Sequence, residues 1–435
     1  VLFAFACGIL SLSTNWRPRR CDGCVNEDGH LAAAAGKERV KIRVFTDLRF
    51  VATTTPTGVG KHVYHMARGL ADTPGCEASL LAASDQVQNP GVLDFLPIRR
   101  MPLPWQAVSV LWTVASRPHA DRWCGDADWI YCPKNDWIPL RTKRLAITIH
   151  GAHELDPAMP PPASPMQWLY RLRNRVQYMK MCRHADVVFT VSEFLRARIC
   201  EWFGADPDKV VVVGNGVEPE YFAAGQKRAP VDASPASPSL QPLPSSLLPS
   251  ASPYVLAVGG LNHLDGGDRI VAVANEIVRR GLGVRIRVAG RLHEQALEGA
   301  ARAHPRLELL GYVPAQRLAP LMAGAVALLY PTRYETFGMG AAEAMASGTP
   351  VITCRSTAVP EIVGDAGIYV DPDKVGETVE AIQSLLGNPE KGAAYAERGR
   401  RRATQYTWAA CVQRVWQQLV MRSEGRGSGT LRRSN

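Results

Sequence analysis

Beyond its first dozen residues, the 435-residue sequence has no apolar run approaching the roughly 20 residues that a membrane-spanning helix takes. Val1–Leu12 is apolar but shorter than that, no basic segment precedes it, and Arg17, Arg19 and Arg20 follow it. A truncated leader, a signal-anchor remnant and an overlong reading frame all fit residues 1–39. The body of the chain is therefore expected to be cytoplasmic, or at most peripheral at the inner face of a membrane. A long basic block is also missing. The formal net charge of +10 is spread over both halves, which suits an anionic ligand or a membrane surface and argues against a dedicated nucleic-acid binder. The ten cysteines include one CxxC pair, Cys21 and Cys24, and no second pair to complete a zinc site. No metal site is expected, and the cysteines read as buried reduced thiols. Hydrophobic content of 46% and charged content of 21% exclude a disordered or fibrous chain. The length suits two domains.

Val40–Leu48 reads as a buried parallel strand, followed by the loop Ala52–Thr57, the turn Gly58-Val59-Gly60 and an amphipathic helix over His62–Ala71. A strand, a glycine turn and a helix open a doubly wound sheet. Further strands are expected at Trp129–Cys132, Leu145–His150, Val187–Val191 and Val210–Val213, with helices at Trp168–Cys182 and Glu193–Phe203. These make a first α/β domain over 40–225. Proline and serine dominate Ala229–Pro253, so 226–253 reads as a linker. A second α/β domain is expected over 254–405, with strands at Tyr254–Gly259, Val284–Ala289, Leu307–Leu310, Val326–Tyr330 and Val351–Thr353. Its helices are placed at Arg269–Arg279, about Met339–Ala346 and Gly376–Leu386. A last helix over 406–421 and a disordered tail over 422–435 complete the division. Open α/β sheets bind ligands at their strand ends, so a central cleft between the domains is the expected site.

The helix within Met166–Arg183 carries five basic residues (Arg171, Arg173, Arg175, Lys180 and Arg183) and no acid, with Trp168, Tyr170 and Tyr178 interleaved. Such a helix can lie on anionic lipid. The reading preferred from the sequence is an ordinary core-facing helix with a solvated polar face.

The stretch Ala327–Pro350 is the most informative. A buried strand ends at Tyr330, a loop carries Glu335, and Thr336-Phe337-Gly338 leads into a helix of good formers. Gly338 and Gly340 leave room for a ligand at the helix start, where free N–H groups of Gly338 and Met339 favour a phosphate. Glu343, one turn inside, can accept hydrogen bonds from ribose hydroxyls. Glu335 stands before the helix, free to meet sugar hydroxyls. Either carboxylate could instead be structural, Glu343 as a favourable charge in a first helical turn.

This stretch, YPTRYETFGMGAAEAMASGTPVI, resembles the Glu-x7-Glu signature of the large family-4 retaining glycosyltransferases of the GT-B fold. The following VPEIVGDAGIYVDP, the turn Asn215-Gly216-Val217-Glu218, the strand-to-helix turn Thr190-Val191-Ser192-Glu193 and the pair Thr407-Trp408 are similar to the family as well. The likeness extends through most of 40–420. It implies two Rossmann-like domains facing a cleft and a last helix crossing back to the first domain. It also implies transfer of a hexose, with retention and without a metal or other cofactor, from a nucleoside-diphosphate sugar such as GDP-mannose or UDP-glucose. The acceptor would be a glycan, a lipid-linked glycan or a small molecule, as in polysaccharide biosynthesis. On this likeness Gly58 matches the glycine against the donor's distal phosphate, and His150 a histidine near the transferred sugar; alone, His150 could be a hydrogen-bonded structural residue. The segment at Gly58 is neither a P-loop nor a dinucleotide fingerprint, because Thr55, His62 and a missing third glycine break both patterns.

One departure stands out. Where the family has Arg-x4-Lys to hold the leaving diphosphate, this sequence has Gly260 and Asp265. Arg269 and Arg291 are the nearby cations expected to substitute. The departure keeps open a catalytically impaired, sugar-nucleotide-binding protein; an epimerase or a phosphorylase on the same scaffold is a further alternative.

Overall fold

The computed structural model describes residues 41–47, 58–85, 96–157, 159, 161–227, 252–290 and 295–424. The expected leader, the loop at 52–57, Arg291, most of the linker and the end of the tail lie outside these residues. In the first part, strands β1 (Ile42–Asp47), β2 (Cys76–Ala82), β3 (Ile98–Arg100), β4 (Trp129–Cys132), β5 (Arg144–Ile149), β6 (Val187–Thr190) and β7 (Val210–Val212) form one parallel sheet. Its helices are α1 (Gly58–Ala71), α2 (Trp105–Val114), α3 (Pro165–His184), α4 (Glu193–Phe203) and α5 (Pro219–Gln226). The second part places β8 (Tyr254–Val258), β9 (Arg285–Ala289), β10 (Leu307–Gly311), β11 (Leu328–Tyr330), β12 (Val351–Thr353) and β13 (Gly367–Tyr369) in another parallel sheet. Around it run α6 (Gly267–Arg279), α7 (Gln295–Arg302), α8 (Ala315–Gly324), α9 (Met339–Ala346), α10 (Val359–Val363), α11 (Val375–Gly387), α12 (Pro389–Ala403) and α13 (Trp408–Glu424).

Sheet order decides where the site lies. The first sheet runs β3-β2-β1-β4-β5-β6-β7 and the second β10-β9-β8-β11-β12-β13. In each, the direction of winding reverses once, between β1 and β4 and between β8 and β11. The loops leaving the two central strands diverge there and open a crevice at the carboxyl ends. Both faces of the central strands are covered: β4 and β11 are buried at every position, so they read as unbroken apolar runs rather than alternating ones.

The two parts touch through polar contacts around the loop before α9. Ser192 Oγ donates to Thr336 O at 2.6 Å. The Glu361 carboxylate, on α10, accepts from the N–H groups of Glu193 and Phe194 at 2.8 and 3.0 Å. An acid of the second part thus caps and compensates the positive end of α4 in the first. Helix α13 returns to the first sheet: Cys411, Val412, Val415 and Leu419 share a core with Ile42, Val44, Met66, Leu70 and Trp129.

Several expectations change here. The last helix starts at Trp408 and runs to Glu424, so the tail does not become irregular at Arg422. Arg422 Nη2 donates to Asp208 O at 2.7 Å, and Trp129 Nε1 donates to Ser423 Oγ at 2.9 Å. Helix α5 carries the first part through Gln226, past the expected boundary. Strands β2, β3 and β13 and helices α2, α7, α8 and α12 were not foreseen. Helix α3 departs in part. Tyr178, Met181 and Cys182 face the core as expected, but Asn174 and Gln177 join them on the buried side, and Trp168, Leu169, Tyr170 and Leu172 are exposed on the outer side among its arginines.

Because Leu419 is fully buried in the shared core, Leu419→Ala should destabilise the chain by about 2–5 kcal/mol, read as a lower urea midpoint. An unchanged midpoint would mean that α13 is not part of that core.

Candidate active site

On the first sheet, β5 ends at Ile149 and delivers His150 to the crevice. Asn135 fixes this corner: its Oδ1 accepts from His150 N at 2.6 Å, and its Nδ2 donates to Gly151 O at 2.7 Å. His150 Nε2 lies 2.9 Å from Pro133 O. A carbonyl only accepts, so Nε2 carries the hydrogen and Nδ1 is the bare nitrogen. Burial pushes the His150 ring down to about 4, so it is neutral at physiological pH. The ring of His62, on α1, stands edge-on at a centroid distance of 4.5 Å. Its Nδ1 meets Asn215 Oδ1 at 2.8 Å, and burial together with His150 holds it well below the ordinary histidine value. The crevice wall on this side is two uncharged imidazoles.

On the second sheet, the chain leaves β11 at Tyr330 and turns into α9 through Gly338. Gly338 has a φ of 97°, in the left-handed region that favours glycine, and no side chain caps the helix it starts. Gly340 serves packing rather than the ligand: a Cβ there would come within 2.5 Å of Val258 Cγ2. The expectation that both glycines leave ligand room is corrected for Gly340. At the start of α1, a Cβ on Gly58 would meet nothing within 4 Å, so that glycine borders open space.

Glu335 accepts a short hydrogen bond from the Tyr330 hydroxyl, and its own N–H donates to Thr357 Oγ1 at 2.8 Å. Burial pushes its carboxyl up to about 7; the Asp265 carboxylate adds to the rise, and bonds from Tyr330 and the Gly338 N–H oppose it. Asp265 is therefore close enough to act on Glu335. It is held by Asn262, whose Nδ2 donates to Asp265 Oδ2 at 2.5 Å.

Glu343 is not open to solvent. Lys61, on α1 of the first part, places Nζ 3.0 Å from Glu343 Oε1, with the two side chains 18% and 8% exposed. The Tyr221 hydroxyl of α5 bonds to the same carboxylate. Burial raises the Glu343 carboxyl, and Glu218 adds repulsion against the pull of Lys61. At Lys61, burial works against the charge, but Glu343 more than offsets it and holds the ammonium above its usual value. Glu218 is in turn bonded to His65 Nε2 at 3.0 Å, whose ring stacks on Trp408 at 4.4 Å.

The crevice thus gathers His150, Gly58, Glu335, Gly338, Met339 and Glu343 around the uncapped start of α9. Arg269 is otherwise engaged: its guanidinium donates to Asp373 Oδ1 at 2.9 and 2.7 Å and to Pro331 O at 3.0 Å. It lines a separate hollow of about 570 Å³ with Arg333, Arg355 and Tyr369. Arg291 lies outside the described residues. The cation that meets the Glu-x7-Glu segment is Lys61, which sequence reasoning passed over although it directly follows the Gly58-Val59-Gly60 turn.

Two parallel sheets facing a crevice, with a helix N-terminus and two carboxylates at its centre, define a GT-B glycosyltransferase. Residues 56–221 match the family described as Glycosyltransferase Family 4, and residues 252–388 match Glycosyl transferases group 1. The chain belongs to these family-4, group 1 glycosyltransferases. Among relatives, the O-antigen chain mannosyltransferase B of Escherichia coli is 28% identical over 394 residues, covering 82% of this chain and 94% of that protein. The D-inositol 3-phosphate glycosyltransferase of Segniliparus rotundus is 29% identical over 55% of this chain, which spans only 53% of that relative. Sucrose-phosphate synthase of Thermosynechococcus elongatus superposes with a TM-score of 0.66 at 18% identity, covering 88% of this chain and 100% of that one. WaaG, a glycosyltransferase involved in lipopolysaccharide biosynthesis, does so at 0.61 and 15%, covering 86% and 99%. These two share the fold.

Two consequences can be measured. Glu335 is raised in the folded chain from the ordinary 4.5 to about 7, so folding takes up a proton between those values and stability falls as pH rises through that window. Glu335→Gln should remove this slope, a change of order 1–3 kcal/mol; parallel stability–pH curves for the two proteins would contradict it. Lys61→Met should destabilise by about 3–5 kcal/mol by leaving a buried carboxylate unpaired, and adding Glu343→Gln should restore much of that loss. An additive double variant would deny the coupling.

Proposed function

We propose that the chain transfers a hexose from a nucleoside-diphosphate sugar to a glycan or lipid-linked acceptor, with retention of anomeric configuration and without a metal. The observation that carries this reading is the uncapped N-terminus of α9 flanked by Glu335 and Glu343. The N–H of Met339, and that of Gly338 once it leaves the Glu335 carboxylate, suit the diphosphate, with the Gly58 backbone facing them across the crevice. Glu343 is suited to the ribose hydroxyls. As those hydroxyls take over its oxygens, Lys61 is released toward the phosphates and supplies positive charge where Gly260 and Asp265 supply none. Glu335 and neutral His150 position the sugar. No further carboxylate is set as a covalent nucleophile, so the leaving phosphate takes the acceptor proton in a front-face transfer. The mannosyltransferase relative favours mannose as the sugar.

Asp265 beside Glu335 favours a second reading, a sugar-nucleotide binder with impaired turnover, because a carboxylate near the leaving group opposes its growing negative charge. A screen of GDP-, UDP- and ADP-sugars for product formation in the presence of a chelator separates the two. A new glycoside with the donor's anomeric configuration supports transfer; binding of a nucleoside diphosphate without any product supports the second reading. Glu335→Ala should lower turnover by about 100-fold or more while the chain keeps its fold, read as an unchanged circular dichroism spectrum. Full activity in that variant would sink the site.

A further inference from the structure

Of the fourteen large apolar side chains exposed among the described residues, eleven lie on α2 and α3. Helix α3 is apolar on both sides. Its inner side meets the core through Tyr178, Met181 and Cys182, with Asn174 Nδ2 donating to Glu154 Oε1 at 2.9 Å and Gln177 Nε2 to Thr113 Oγ1 at 2.5 Å. Its outer side presents Trp168, Leu169 and Tyr170, each more than half exposed, and Met179 at 49%. Helix α2 is tied alongside: Lys180 Nζ donates to Thr113 O at 2.8 Å. It adds Val110, Leu111 and Val114, the last 79% exposed, and carries no charged residue.

Charge selects the occupant. Among its twenty residues α3 has Arg171, Arg173, Arg175, Lys180 and Arg183 and no carboxylate. A protein core or an uncharged apolar partner would give the exposed Arg173, Arg175 and Arg183 no counter-charge. A second copy meeting this face about a two-fold axis would set the arginines against their own equivalents, which is repulsive. Anionic lipid supplies both complements at once, acyl chains for the apolar side chains and phosphate headgroups for the guanidinium groups. Trp168 and Tyr170 join an apolar ring to a polar tip, as side chains at a bilayer interface do.

We infer that α2 and α3 form a docking face for an anionic lipid bilayer. The face is bolted to the crevice, because Tyr178 Oη on the inner side of α3 donates to Gly151 O at 2.7 Å, one residue from His150. A docked chain holds the acceptor side of its cleft at the membrane surface. This inference is independent of the donor and of turnover.

The full chain should co-sediment with vesicles of phosphatidylcholine containing phosphatidylglycerol, and not with phosphatidylcholine alone, and the binding should weaken as salt rises. The joint substitution Arg171→Glu, Arg173→Glu and Arg175→Glu should lower the partition coefficient by about 100-fold. Trp168→Ser with Tyr170→Ser should lower it as well. Both variants replace side chains outside the core, so their unfolding temperatures should match the parent. Vesicle binding that survives both variants would place membrane attachment elsewhere, the apolar residues 1–12 included, and overturn the proposal. Absence of vesicle binding would do the same, whether the chain stays monomeric or self-associates through this face in sedimentation velocity.

Discussion

A carboxylate inside a protein must find a counter-charge, and for Glu343 that charge comes from the other half of the molecule. Lys61 reaches it from α1 across the crevice, while Tyr221 and the neighbouring Glu218 complete the surroundings. The Lys61–Glu343 contact satisfies the acceptor oxygens of Glu343, one turn inside α9, from within the protein. Buried pairs of this kind add little net stability, because desolvation offsets most of the attraction. Their strength lies in the penalty for separating them with nothing in exchange. Parting Lys61 from Glu343 therefore leaves two buried charges unpaired.

The halves also share an apolar core, and two further polar contacts join them. Ser192 holds the Thr336 carbonyl, and Glu361 holds the first amides of α4. Both of these fall on segment 335–361, so the loop carrying Glu335 is positioned by both halves. Around it the charges are unevenly distributed. Glu335, Asp265, Glu343 and Glu218 lie on the crevice side, the two buried histidines are neutral, and Arg269 is turned to Asp373. Among the described residues, Lys61 and the backbone amides then supply positive potential beside Glu343, and amides do so without desolvation of a full charge.

What the sequence disclosed follows from how local each signal was. The end of β11 at Tyr330 and the bounds of α9 were legible because Pro331, Gly338 and a run of strong helix formers mark them without outside help, while the strand begins two residues later than expected. The GT-B architecture followed from the alternating rhythm and the Glu-x7-Glu context. Strand β2, CEASLLA, was missed because alanine, serine and leucine carry no strand preference and its outer positions are only half-buried. The Lys61–Glu343 pair joins residues 282 apart and has no local trace. Arg269 stood in a plausible place, but Asp373, 104 residues on, engages it. The polar pair on the inner side of α3 was unreadable for a similar reason: Asn174 and Gln177 are buried beside Tyr178 and Met181 because Glu154 and Thr113 are there to receive them.

The return of α13 to the first sheet has a consequence for the order of assembly. Ile42, Val44 and Trp129 share their core with Met66 and Leu70 of α1 and with Cys411, Val415 and Leu419 of α13, so one face of the first sheet stays only partly covered on a nascent chain until the last described helix leaves the ribosome. The second sheet, from Tyr254 to Tyr369, together with α11 and α12 is contiguous in sequence and needs no such wait. Synthesis runs from the first sheet to the second, whereas consolidation of the cores runs the other way. The half made first is the half finished last.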